Sequence, residues 1–449
     1  MTIENELISL CIDESPPRNK PLVAKYLRSF AFPVLSKLSP FNITKTGSYL
    51  VANKTAIIQK YGPDAEIDIN YTLLKLDTLK AEILSNKPFR KLESDNVDVK
   101  IWNQILEDYT DKDGNRPTWL NTIWLYGECY VHRRLFETFE TSKYLRDYDP
   151  FYEQKMKSLV SCEDAMEFLS DFLIDYFQRT SIQSRHLRED LPKILKCALW
   201  GNRCDLSQTG GDTIIQTESP LKLVDSLQNL ILVDESSKIV DFLCSFNREG
   251  KDNKILDIIL DNAGYELFSD LCMADYFVTY KIVNTVRFHG KAIPWFVSDV
   301  TRRDFFDTID YVANKSGTKS MKQLGKRWEG YIQSDQWKFE NEQFWTLPFH
   351  FGQIKSMDPE LYEKLSESIL IISKGDLNYR KLVGDVFWEP TVPFSQAVGS
   401  FKPSKLIALR TLKSDITCGL PEGLAERISQ ADPDWLKIGK YAVIHVDGV

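Results

Sequence analysis

The run LIISKGDLNYRKL, Leu370 to Leu382, leads an apolar segment into Asp376, Asn378 and Arg380, a carboxylate, a carboxamide and a guanidinium within five positions. Three more apolar runs end in a similar way. ILDIIL is followed by Asp261 and Asn262, IPWFVSDV delivers Asp299, and LIALRTLK carries Arg410 and Lys413. Taken singly, an Asp after a strand is most simply the N-cap of the next helix, and a basic residue there is most simply solvated. Taken together, four strand ends bring three aspartates, two asparagines, two arginines and a lysine towards one rim. Three carboxylates on a shared rim repel one another unless a cation lies among them. Oxygen donors without His or Cys suit a hard divalent ion such as Mg²⁺ or Mn²⁺. Arg and Lys beside that ion call for an anionic partner. A phosphate meets both needs, bridging the metal and accepting charge-assisted hydrogen bonds. The set therefore reads as metal plus phosphoryl group.

Such a rim needs a particular scaffold. Residues 1 to about 215 carry the helix period. DAMEFLSDFLIDYFQ (164–178) places Met166, Leu169, Phe172, Leu173 and Tyr176 at three- and four-residue spacing, and residues 119–139 form another helical run. A Gly-, Ser- and Thr-rich stretch over 207–222 reads as a loop at a domain junction. Beyond it, KILDIIL (254–260), IVNTVRFH (282–289), ILIIS (369–373), KLIALRTL (405–412) and KYAVIHV (440–446) read as strands. Between them, 264–280, 300–314 (opened by a Thr cap) and 358–368 (Asp358 as cap, Pro359 at the first helical position) read as helices. Strand and helix in alternation predict an α/β chain with a mostly parallel sheet covered on both faces. Ligands of such sheets bind at the carboxyl ends of the strands.

At 449 residues the chain exceeds one ordinary core. Two domains are expected, a mainly helical 1–215 and an α/β/α catalytic 216–449. The composition is that of a globular protein, with 43% apolar, 27% charged and 12% aromatic residues. A net charge of −8 argues against general binding to nucleic acid or an anionic membrane. Eight cysteines and five histidines are scattered without metal or redox spacing, so the thiols read as buried side chains of a reducing compartment. With no basic-plus-apolar start and no apolar stretch near ~18 residues, a cytoplasmic or nuclear monomer acting on a small molecule is the expectation.

The same residues carry a resemblance. LDNAGYE, KGDLNYRKL and LRTLKSD resemble signature motifs of the metal-dependent damage-control phosphatases, and Arg410-Thr411-Leu412-Lys413 resembles the Arg-Thr-x-Lys element of the third subfamily. PTWLNTIWLYGECYVHRR, LWGNRCDLS and FWTLPFHF are similar to family segments in the same order, so the likeness spans nearly the whole chain. It implies a helical N-terminal part on a three-layer α/β/α domain. It also implies a divalent ion (Mn²⁺, Mg²⁺, Co²⁺ or Ni²⁺) held by Asp261, Asn262 and Asp299. Asp376, Leu377, Asn378, Tyr379 and Arg380 would line the substrate pocket, with Tyr379 and Leu382 packing beneath, while Arg410 and Lys413 would hold the phosphate.

The activity so implied is hydrolysis of a small phosphate monoester, a hexose phosphate such as a fructose phosphate, with Asp261, Asn262 and Asp376 as catalytic residues and Asp376 as candidate base or nucleophile. Methyl transfer from S-adenosylmethionine to protein carboxylates is the alternative attached to this subfamily. The single glycine in the turn after ILDIIL gives it little support. A non-catalytic sugar-phosphate-binding protein would need no intact metal set. A haloacid-dehalogenase phosphatase would place two aspartates two positions apart after its first strand, whereas Asp261 is followed by Asn262 and Ala263. Glu128, His132 and Arg133 share one helical segment, which reads as a solvated or inter-helix polar face, with contact to substrate as the alternative. Asn202 and Asp205 either border the site or belong to a plain junction turn, and Cys204 reads as a packed residue. Trp337, Phe339, Phe344 and Trp345 read as core or strand packing.

Overall fold

Apolar residues in the C-terminal strands alternate between two sides of a sheet, and each side finds its own helical layer. A computed structural model describes residues 3–178, 184–202, 220–246 and 254–449. Its seven strands are β1 (Ile231–Asp234), β2 (Ile255–Ile259), β3 (Thr285–His289), β4 (Trp337–Glu340), β5 (Leu370–Lys374), β6 (Leu406–Thr411) and β7 (Ala442–Asp447), in the order β1-β7-β6-β5-β2-β3-β4. β2 to β6 run parallel, while β7 is antiparallel to β6 and pairs in parallel with β1. The expected α/β class with a mostly parallel sheet is the fold observed.

β5, β6 and β7 are buried at every position, as strands covered on both faces must be. Leu370, Ile372, Ile407, Leu409 and Ile444 join an apolar cluster with the helices Glu163–Phe177, Ser184–Gly201 and Tyr265–Thr279. The intervening Ile371, Leu406, Ala408 and Val443 join the opposite cluster, with the helices before residue 151 and those after 354. The period of two along each strand thus sorts side chains between the two layers. Residues on both sides of position 215 belong to each cluster.

Two strands were not expected from the sequence. β1 is only four residues long, and β4 carries Trp337 and Phe339 of the aromatic cluster beside β3. The opposite error occurs at IPWFVSDV, which is a loop and not a strand. Pro294 has no N–H for a ladder, and Phe296 and Val297 adopt φ of 43° and 69°. Helix starts were more legible: the Thr301 capping box with Asp304 and the Asp358 cap on Leu361 N both form. Cys204, Asp205 and most of the 207–222 loop lie outside the described residues.

A buried charge network ties β2 and β3 to the helix Pro359–Ser366. Arg287 donates to both oxygens of Asp257 (2.7 and 2.8 Å) and to Glu367 (2.8 Å), while Lys364 reaches Glu340 and Glu342. His289, fully buried, lies between Asp257 (3.0 Å) and Glu342 (3.1 Å). Burial pushes its imidazolium down, but the hydrogen bonds to Asp257 and Glu342 outweigh this and raise it to about 9. Burial likewise opposes ionisation of Asp257 and Glu342, yet His289 holds both below the usual carboxylate range. The His289 contribution is therefore complete below its ordinary value of 6.5 and is lost as pH rises through about 9. The carboxylate contributions are lost only on acidification through their lowered values. Breaking a buried pair costs about 3–5 kcal/mol. His289→Gln should lower the melting temperature most between pH 5 and 6.5, and the gap from wild type should shrink towards pH 9.5. A gap that does not change with pH would show His289 to be uncharged.

Candidate active site

Parallel β2, β5 and β6 lie side by side, so the residues that follow them share one rim. Asp261 and Asn262 come after β2, Gly375 and Asp376 after β5, and Lys413 after β6. The register Ile259↔Ser373, continued by two residues, sets Asp261 against Gly375. A Cβ at position 375 would lie 1.9 Å from Asp261 Oδ2, and φ there is +84°. Only glycine allows the two segments to approach this closely.

Asp299 arrives from the loop after β3. Asn262 and Asp299 form a one-residue antiparallel bridge, flanked by Ala263 N donating to Ser298 O (2.7 Å) and Val300 N donating to Asp261 O (2.9 Å). These bonds hold the left-handed conformation of Phe296 and Val297, an unfavourable one for a β-branched residue, next to the site. Lys291 donates to Leu260 O (3.0 Å) and pairs with Asp299 Oδ2 (3.2 Å).

Behind this rim, two carboxamides clamp two carboxylates. Asn202 Nδ2 and Asn262 Nδ2 each donate to Asp261 Oδ2 (2.7 and 2.8 Å) and to Glu266 Oε2 (both 2.7 Å). Lys374, wholly buried, secures Glu266 Oε1 (2.9 Å) and Asp270 (2.7 Å). Burial pushes the Asp270 carboxyl up to about 7 against the pull of Lys374. Asn202 also accepts from Thr411 Oγ1, and its main-chain oxygen accepts from Lys413 Nζ (2.9 Å). One residue at the end of the Ser184–Gly201 helix thus joins the Asp261 side of the rim to Lys413.

The cavity in front is small, about 70 Å³. Asp261, Asn262, Asp299, Asp376, Leu377, Arg380 and Lys413 form one side of it, and Asn42, Trp124, Glu128, His132 and Phe296 complete it. Asp261 and Asp299 are almost fully buried, and among the described residues Asn262 Oδ1 accepts one bond, from Ser298 Oγ (2.6 Å), where a carbonyl oxygen has two lone pairs. Among the described residues no three His, Cys, Asp or Glu side chains converge as a metal cluster. Two carboxylates and a carboxamide oxygen still make an all-oxygen donor set that fits a hard divalent ion. A larger apolar groove of about 910 Å³ between residues 100–126 and 348–400 holds none of these groups.

Comparison with known proteins gives the chain its family. Residues 52–428 match the damage-control phosphatase ARMT1-like domain. The chain belongs to that family. It is 38% identical over 438 residues to damage-control phosphatase ARMT1 of Danio rerio, covering 96% of both chains. The Xenopus laevis and Homo sapiens proteins of the same name are 37% and 35% identical, covering 95% and 94% of this chain. Damage-control phosphatases of this family are generally metal-dependent.

Three residues expected in the substrate pocket of this family member point elsewhere. Gly375-Asp376 opens a helix, Asp376–Leu382, and its period puts Asp376, Leu377 and Arg380 on the cleft face. Asn378 instead donates to Leu260 O (3.0 Å) and Lys374 O (2.8 Å), pinning the helix to β2. The Tyr379 hydroxyl meets Cys418 Sγ (3.2 Å) and His445 Nδ1 (3.1 Å) in the core. Arg410, fully buried, spends its guanidinium on Asp376 Oδ1 (2.7 Å), Ile416 O (2.6 Å) and Ser414 Oγ (2.8 Å), and lies over the Tyr379 ring. It shapes the rim from behind.

Arg380 reaches the cleft while stacked 3.4 Å over Trp124, with Glu128 at 2.6 Å and Asp385 at 2.8 Å. Glu128 and His132, expected on a polar helix face, line the cavity, whereas Arg133 pairs with Asp98 and Glu140 inside the helical layer. Burial pushes Glu128 up against the pull of Arg380. The sequence reading missed Glu266 and Asn42 altogether. Glu266 could have been found four residues after Asn262, one helical turn further on, but nothing local marks Asn42.

Proposed function

We propose that this protein is a metal-dependent phosphoric monoester hydrolase acting on small sugar phosphates in metabolite damage control. What supports the reading most is the convergence, in one closed cleft, of the Asp261, Asn262 and Asp299 oxygens with the cations Lys413 and Arg380. A bound divalent ion would supply Lewis-acid polarisation of the phosphoryl group. Lys413 would offset charge on the remaining phosphoryl oxygens, in a site that excludes bulk water. Asp376 has Oδ1 committed to Arg410, the Lys413 amide (3.2 Å) and Ser414 (3.2 Å), so Oδ2 is the oxygen left to take a proton from the attacking water. The small cavity favours a metabolite over a phosphorylated macromolecule, and a hexose phosphate enters only if the wall around residues 30–42 yields. That wall contains a π-helical turn, Val34–Leu38, a local irregularity often found at functional sites.

The test is a metal-supplemented screen of phosphate monoesters, with elemental analysis of the metal that co-purifies. Activity should need Mn²⁺, Co²⁺, Ni²⁺ or Mg²⁺ and vanish in EDTA. Lys413→Ala should reduce kcat/KM by roughly 10²-fold, mainly through KM. Metal-independent turnover would overturn the reading, and a phosphoryl group trapped on Asp376 by acid quench would make that residue the nucleophile.

A further inference from the structure

The wall of the cleft that the N-terminal helices supply holds polar groups for which the described residues provide no partner. Asn42, on the helix Ser39–Ala52, is 8% exposed, and its Oδ1 is buried without a hydrogen bond. His132, on the helix Trp124–Glu140, is 7% exposed and lies stacked on Phe296 with ring centroids 4.0 Å apart. Neither the Asn42 carboxamide nor the His132 ring makes a hydrogen bond to any described residue. Arg380 Nη2 is likewise buried and unbonded, although its other nitrogens are held by Glu128 and Asp385. Buried polar atoms are normally satisfied, so Asn42 Oδ1 and Arg380 Nη2, with the His132 ring beside them on one small cavity, ask for a ligand.

The ligand's chemistry follows from theirs. A carboxamide carries donors and acceptors, and a neutral imidazole carries one of each. Burial keeps His132 neutral by pushing it down to about 3. Neutral groups that both donate and accept match hydroxyls, which do the same, and they match poorly a second anion or an ammonium. Arg380 already covers Trp124 and His132 already stacks on Phe296, so these two rings are not free platforms for a nucleobase. We infer that Asn42 and His132, with Arg380 Nη2, form the subsite for the hydroxyl-bearing leaving group, so that the protein selects polyol phosphates by the part of the substrate that does not react. The inference rests on the phosphatase reading of the cleft. It assigns specificity to helices that hold none of the strand-end chemistry.

Because neither side chain is bonded to a described residue, an apolar isostere gives up no protein hydrogen bond. Asn42→Leu and His132→Phe should therefore melt no lower than wild type. Calorimetric titration of the Mn²⁺-loaded protein with fructose 6-phosphate and with inorganic phosphate reads the subsite. Each variant should bind the sugar phosphate at least tenfold more weakly while inorganic phosphate affinity stays within about threefold. The same split should appear in kcat/KM for the sugar phosphate against p-nitrophenyl phosphate, an ester without alcohol hydroxyls. Parallel losses for both ligands, unchanged sugar-phosphate affinity, or a large drop in melting temperature would each overturn the subsite. A wild type that shows the binding pattern yet hydrolyses no ester would keep the subsite and sink the phosphatase reading.

Discussion

Asp261→Ala is expected to yield a folded protein with at least 10³-fold lower kcat/KM, a loss of about 4 kcal/mol of transition-state stabilisation. The size of the effect follows from how much one carboxylate organises. Its Oδ2 receives Asn202 and Asn262, its main-chain oxygen receives Val300, and it is one of only two carboxylates in the proposed metal set. Removing it leaves both carboxamides with Glu266 as their remaining carboxylate, while the main-chain bond from Val300 to residue 261 stays. Mn²⁺ affinity, measured by titration calorimetry or electron paramagnetic resonance, should fall with the activity. Folding should survive, because the surrounding bonds from Lys374 to Glu266 and Asp270 remain. A variant that keeps full turnover would remove Asp261 from the reaction.

Gly375→Ala should be nearly as damaging, although position 375 has no side chain to lose. The added methyl would sit 1.9 Å from Asp261 Oδ2 and 2.0 Å from its Cγ, far inside contact distance. The residue also holds φ at +84° and ψ at 174°, a region essentially confined to glycine, where an L side chain costs about 1–3 kcal/mol. Relief requires Asp261 to swing away or β5 to part from β2, and either movement separates Asp261 from Asn202. Activity should fall at least 10²-fold with a melting temperature lowered by several degrees. Metal affinity measured alongside separates the two contributions: weaker binding shows that Asp261 moved, and unchanged binding with low stability places the damage in the sheet.

Much of the rim was legible because strand ends in a parallel sheet have a fixed meaning. Asp261, Asn262, Asp376 and Lys413 each follow an apolar strand, and the fold must bring such positions together. Asp299 was found for a partly wrong reason, since the run before it is a Pro-interrupted loop that reaches the rim through a single bridge to Asn262. Arg410 misled because composition reveals a charge but not which partners consume it. Asn378 turns to the sheet and Tyr379 packs beneath, and motif membership does not say which face of a short helix a residue occupies.

Local pattern by itself determined the α/β class, most strands, the helix caps and the carboxylates and cations of the rim, since each depends on the periodicity of a few neighbouring residues. Only the tertiary structure decided the rest. It ran Asn202 from the end of one helix to Asp261 and Lys413, set Lys374 beneath Glu266, and brought Asn42 and His132 from the N-terminal helices onto the same cleft. Asn42 and Asp261 are far apart in the chain, and no spacing rule links them. Their meeting depends on how one helical layer packs over the sheet, and that is settled by the summed burial of both cores.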